Sequence, residues 1–142
     1  MTRPRVYAAH PIVTYGSARE RDCIASLHSL LPEADVYNPA GRYSTPAGWR
    51  RAWPRVLASL SGLVVFGTRD GVVGMGCLRE IADAHRVGLP IAMLDHRCHA
   101  RTYAGLVLPP RAATARRAAV LVPGEPVDLL ELIGLAPPRG AP

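Results

Sequence analysis

The stretch "GLVVFGTRDGVVGMGCLREIADAHRVGLPIAMLD", residues 62–95, reads as a strand, a glycine-rich turn, a helix and a second strand. Residues 62–68 are a nearly continuous apolar run, the pattern of a parallel strand covered on both faces. Residues 90–95 repeat it. Between them Cys77, Ile81, Ala84 and Gly88 recur at helical spacing, which predicts a helix from about Cys77 to Val87. Gly88 followed by Pro90 closes that helix. A strand–helix–strand unit predicts parallel strands joined by a right-handed crossover.

Upstream, "RVYAAH" (5–10) reads as a short buried strand ended by Pro11. After the loop "PIVTYGS", Ser17 and Glu20 have the spacing of a capping box. The helix they open runs to about Leu31, with Ile24, Leu27, His28 and Leu31 on one face, and Pro32 stops it. "DVYNPAG" (35–41) is a second, brief strand, and residues 40–48 are a polar, turn-rich loop. Helical spacing returns from Trp49 to Leu60. Pro54 leaves two options there, a start near Trp53 or a kink.

Downstream, residues 96–117 fit either a short helix or a loop. "AAVLV" (118–122) predicts a last strand and residues 126–135 a final helix. The Pro/Gly-rich tail, 136–142, is expected to be flexible.

Strands alternating with helices predict one α/β domain over residues 1–135. The expected architecture is a flavodoxin/Rossmann-like three-layer sandwich with a five-stranded, mainly parallel sheet in the order 2-1-3-4-5. In that order the first and third strands flank the switch point, where ligands bind beyond the carboxyl ends. The loops 10–17 and 67–76 therefore meet in a cleft.

Composition narrows the partner. Of 142 residues, 49% are hydrophobic and 20% charged, ordinary values for a globular protein in water. All 17 basic residues are arginine, giving a net charge of +6. Arginine forks suit phosphate, but these are scattered and not interleaved with aromatics, which disfavours a nucleic-acid polymer. A small anionic ligand fits the charge. No apolar run is long enough to cross a membrane, and no signal-peptide pattern opens the chain, so a cytoplasmic protein is expected. Cys23, Cys77 and Cys98 have neither disulfide-framework nor zinc spacing. His96, Cys98 and His99 lack a further ligand nearby, and neither metal nor cofactor is expected.

In the predicted cleft, Gly74 and Gly76 precede a helix N-terminus, where free amides and the helix dipole favour an anion. The same glycines also suit an ordinary turn. Glu80, one turn into the helix, is either a solvated residue near a positive dipole end or a group aimed at the ligand edge.

"GCLREIADAHRVGLP" resembles the G-x-x-x-E-I-x-x-A-x-x-x-G-x-P stretch of the nucleoside 2-deoxyribosyltransferase-like superfamily. Gly76, Glu80, Ile81, Ala84, Gly88 and Pro90 fall in register. "VYAAHP" is similar to that superfamily's first strand and loop. The resemblance spans residues 5–95 and looks closest to nucleoside 5′-monophosphate N-glycosidases, the cytidylate hydrolases among them. It implies that Glu80 is a nucleophile attacking the anomeric carbon, in the manner of retaining glycosidases. It implies a nucleotide or nucleoside as substrate and a homodimer or larger homo-oligomer.

Tyr7 matches the aromatic position that holds the glutamate in some members; a core tyrosine is the other reading. Asp70 lies where members carry a carboxylate, though Asp-Gly also simply makes a turn. Candidate substrate-binding residues are His10 and Pro11 after the first strand, Tyr15, Ser17 and Arg19 at the first helix, and Gly74, Met75 and Gly76. Ser17 as a cap and His10 as a loop histidine are the alternatives. Trp49 and Trp53, four apart, read as core packing or a subunit contact, with stacking on a nucleobase as the other use.

The chain departs from the resemblance at Val72-Val73-Gly74-Met75, where a hydroxylated residue is usual, at Ala82, and at Arg79, where an apolar residue is common. A deoxyribosyltransferase and a catalytically silent nucleotide-binding module are the alternative functions. A phosphoribosyl-binding protein akin to the lysine-decarboxylase-like group lacks its arginine–glycine motif here.

Overall fold

The computed structural model of the chain describes residues 3–107 and 118–134. Its strands are β1 (Arg5–Ala9), β2 (Asp35–Tyr37), β3 (Gly62–Val65), β4 (Val72–Val73), β5 (Ile91–Leu94), β6 (Ala100–Val107) and β7 (Ala119–Pro126). The helices are α1 (Ala18–Leu30), α2 (Pro46–Ala58), α3 (Met75–Arg86) and α4 (Leu129–Leu132), with a 3-10 turn at Ile12–Thr14. The tail 136–142 and residues 108–117 lie outside the described residues.

The sheet order is β2-β1-β3-β5-β6-β7-β4. The first four strands are parallel, and every remaining pairing is antiparallel. The fold class is α/β, but the sheet is mixed and has seven strands, not five. The expected last strand does not sit beside β5. A hairpin strand, β6, intervenes where residues 96–117 had suggested a helix or a loop.

Asp95 is the physical reason for that hairpin. Its Oδ1 accepts from the backbone N–H of Arg97 and His99, both at 2.9 Å, and its Oδ2 accepts from Arg101 Nε at 2.9 Å. Burial alone would raise the Asp95 carboxyl, but these donors hold it below the usual carboxylate range. Cys98 takes a positive φ of 61° to complete the turn. The sequence "ARTYAGLV" of β6 lies half in water with no clean alternation, so period-two patterning does not reveal it.

Other boundaries shift for local reasons. Thr45 caps α2, accepting from Gly48 N–H at 3.0 Å, and Pro46 occupies the first position, so the helix starts before Trp49. It continues through Pro54, because the carbonyl that Pro54 leaves without a donor belongs to exposed Arg50. His28 is exposed; the buried stripe of α1 runs through Cys23 and Leu27 to Leu31. Pro126 ends β7, leaving α4 a single turn capped by Asp128.

Alternation along the strands divides the core between the two faces of the sheet. Val6, Ala8, Val64, Phe66 and Leu94 pack with Cys23 and Leu27 of α1 and Leu129 of α4. Tyr7, Ala9, Leu63, Val65 and Met93 pack with Trp53 and Val56 of α2 and Cys77, Ile81 and Ala84 of α3. Tyr7 therefore points at α3 by strand parity alone. The chain leaves β1 toward β2 on one side and reaches β3 on the other, so the loops after β1 and β3 diverge and open a cleft between them.

The loop after β3 turns back tightly. A Cβ at Gly67 would lie 2.6 Å from the Gly71 carbonyl carbon and 2.7 Å from Val72 O. Gly67→Ala is expected to cost about 1–3 kcal/mol in urea unfolding, whereas Gly76→Ala, with open space around its Cβ, is expected to leave stability unchanged or slightly raised.

Candidate active site

The loops after β1 and β3 and the N-terminal ends of α2 and α3 enclose a cleft of about 760 Å³. His10, Pro11 and Tyr15 form one wall, Gly74, Met75, Gly76 and Glu80 another, and Tyr43, Thr45 and Trp49 a third. Six of the eight expected substrate-binding residues thus line it, together with Glu80.

Glu80 is only 4% exposed. Its position beside the Cys77–Ile81–Ala84 stripe brings it under the N-terminal turn of α2 rather than into water. Its Oε2 accepts a hydrogen bond from the Tyr7 hydroxyl and another from Trp49 Nε1 at 3.1 Å. Trp49 Nε1 also lies 3.3 Å from the Tyr7 oxygen. Both donors converge on one oxygen. Oε1 accepts no hydrogen bond among the described residues and belongs to a side chain lining the cleft.

Burial pushes the Glu80 pKa up to about 8, against the lowering effect of the Tyr7 and Trp49 hydrogen bonds. Tyr7 is raised far above the usual phenol range by burial and then by Glu80, so it acts as a donor. Cys77, also at the cleft, is held well above the usual thiol range by burial and then by Glu80. A thiol so disfavoured as thiolate is a poor nucleophile.

The remaining expected residues separate into two groups. His10 Nδ1 lies 2.7 Å from Thr14 Oγ1 and Nε2 lies 2.8 Å from Asn38 Oδ1, so both ring nitrogens brace the turn after β1. Burial lowers its pKa. Ser17 caps α1, accepting from Glu20 N–H at 3.2 Å, and does not line the cleft. Arg19 is buried and donates to Gly67 O at 3.0 Å. With Asp70 it borders a separate hollow of about 190 Å³, away from Glu80.

Trp49 is the site residue that sequence spacing missed. Trp53 takes the core-packing role: it is 3% exposed, donates to Asp83 Oδ2 at 2.8 Å and stacks on half-buried Trp49 at 5.8 Å. The available signal was a tryptophan in the first turn of a helix that starts at the ligand edge. Among the described residues no group of three or more His, Cys, Asp or Glu is placed to hold a metal ion, and no helix is long and apolar enough to cross a membrane.

No family model, curated protein or solved structure matches the chain.

The raised Glu80 pKa ties stability to pH. The folded state prefers the protonated carboxyl, so its stabilising share is full below about 4.5 and is lost as pH rises through about 8. Glu80→Gln is therefore expected to melt above the wild type at pH 9, and the difference should vanish toward pH 4. Trp49→Phe removes one donor to the carboxylate and should move the Glu80 carboxyl titration, followed by carbon-13 NMR, to higher pH.

Proposed function

We propose that the chain is an N-glycosidase that cleaves the base–sugar bond of a nucleoside 5′-monophosphate by a retaining mechanism. One observation carries the reading: a buried carboxyl with Oε2 held by Tyr7 and Trp49 and Oε1 unengaged at an open cleft. The resemblance of residues 76–90 to the nucleoside 2-deoxyribosyltransferase-like superfamily supports it independently.

In this reading Glu80 Oε1 attacks the anomeric carbon as the C–N bond breaks, and the bonding electron pair leaves with the base, which takes a proton from water. Water then cleaves the glycosyl ester, giving the free sugar phosphate and restoring the carboxylate. Tyr7 and Trp49 keep Oε2 fixed, so that only Oε1 is presented. Tyr43 and Trp49 offer aromatic surface for the base. Gly74 and Gly76 have open space at their Cβ positions and ordinary φ, so packing does not dictate glycine there. A ligand approaching the backbone at α3's N-terminus would.

One observation favours a binding-only module instead. Asp70, the second expected carboxylate, borders a different hollow, which leaves Glu80 the one carboxylate at the cleft among the described residues.

Chromatography after incubation with the common ribo- and deoxyribonucleosides and their 5′-monophosphates decides between them. Free base from a monophosphate, lost by at least 100-fold in Glu80→Gln, is the expected result. Because the nucleophile must be ionised, kcat/KM should rise with pH and level off above about 8. Binding without release would support the silent module, and release untouched by Glu80→Gln would remove Glu80 from the chemistry.

A further inference from the structure

Arg79 and Arg50 are two cations at the edge of this cleft that pair with no carboxylate among the described residues. Arg79 precedes the proposed nucleophile on α3, and Arg50 follows Trp49 on α2. Both line the cleft and both are exposed. Neither donates a hydrogen bond or joins an ion pair among the described residues; the ion pairs there are Arg5–Asp35, His10–Glu20, Arg86–Asp83 and Arg101–Asp95. The Arg79 guanidinium carbon stands 6.0 Å from the centroid of the Trp49 ring. The opposite business of that indole is Glu80: its Nε1 donates to the carboxyl.

We infer that Arg79 and Arg50 together bind the phosphate of the substrate and make the site selective for nucleotides over nucleosides. The inference rests on the glycosidase reading for its choice of ligand. Two like charges around one opening repel until an anion enters, and a phosphate dianion offers each guanidinium a charge-assisted fork. The basic groups expected nearby are committed. Arg19 is spent on Gly67 O in the other hollow, and His10 has both ring nitrogens engaged within its turn. The turn 72–75 also carries no hydroxyl for a phosphate. The two arginines supply what that turn lacks, and Trp49 lies between Arg79, against its ring, and Glu80, at its Nε1.

Two readouts on the full-length chain test this. The first is binding: intrinsic tryptophan fluorescence, to which Trp49 beside Arg79 contributes with Trp53, titrated with each nucleoside and its 5′-monophosphate at fixed salt. Wild type should bind the monophosphate more tightly. Arg79→Ala with Arg50→Ala should weaken the monophosphate by about 10- to 100-fold and leave the nucleoside unchanged. Arg79→Glu should weaken it further. The second is base release, where the same variants should raise KM for the monophosphate with little change in kcat. Equal affinity of wild type for both ligands, or equal loss of both in the variants, overturns the inference. Phosphate-selective binding that depends on the arginines, without base release, upholds it and overturns the glycosidase reading instead. Both side chains are exposed, and unchanged melting temperatures will show that the variants fold.

Discussion

Everything about the cleft depends on one buried carboxyl and the two donors that meet one of its oxygens. Removing a carboxylate from water costs several kcal/mol, and a hydrogen bond to a charged group returns about 1.5–3 kcal/mol. Tyr7 and Trp49 therefore narrow the deficit without closing it, and the carboxyl is left with a pKa near 8. A third donor on Oε1 would have closed it further. That oxygen instead has no hydrogen-bond partner among the described residues, on a side chain that lines the cleft. The fold maintains a group that is only half satisfied, which is the arrangement expected of a site and not of a core.

Each contributor is delivered by a different element, and each for a local reason. Strand parity in β1 turns Tyr7 toward α3, and pairing of β1 with β3 in register Tyr7–Leu63 fixes its height. The start of α2 is set by the Thr45 cap and Pro46, which place Trp49 in the first turn, and Trp53 one turn on is anchored by Asp83 of α3. Glu80 belongs to the helical face that includes Cys77 and Ala84, so burial of that face carries the carboxyl inward. The second contact, from Trp53 to Asp83, ties α2 to α3 and so holds the first in position.

The parallel half of the sheet was legible because its strands are apolar throughout and its helices keep a regular stripe. The cleft followed from the order of β1 and β3. The outer half was not legible, since β6 is half-solvated and its hairpin hangs on the side chain of Asp95, an interaction invisible to periodicity. In the site, Glu80 and Tyr7 stood out through the motif resemblance. Trp49 did not, because an i, i+4 pair of tryptophans fits ordinary packing equally well. Asp70 and Arg19 were misplaced because proximity in the loops says nothing about which way a side chain leaves the backbone. Asp70 shares a hollow with Asp95 and His96 instead of lining the cleft.

If Glu80 is the nucleophile, its Oε1 must become an ester oxygen during turnover, and this is open to direct observation. Incubation of the protein with deoxyribonucleoside 5′-monophosphates, rapid acid quench and peptide mass spectrometry should show a deoxyribose phosphate, less the elements of water, on the peptide containing Glu80. The account predicts that adduct on Glu80 and its absence in Glu80→Gln. Base release with the sugar attached to another residue, or with no adduct on Glu80 under conditions that preserve such esters, would contradict it.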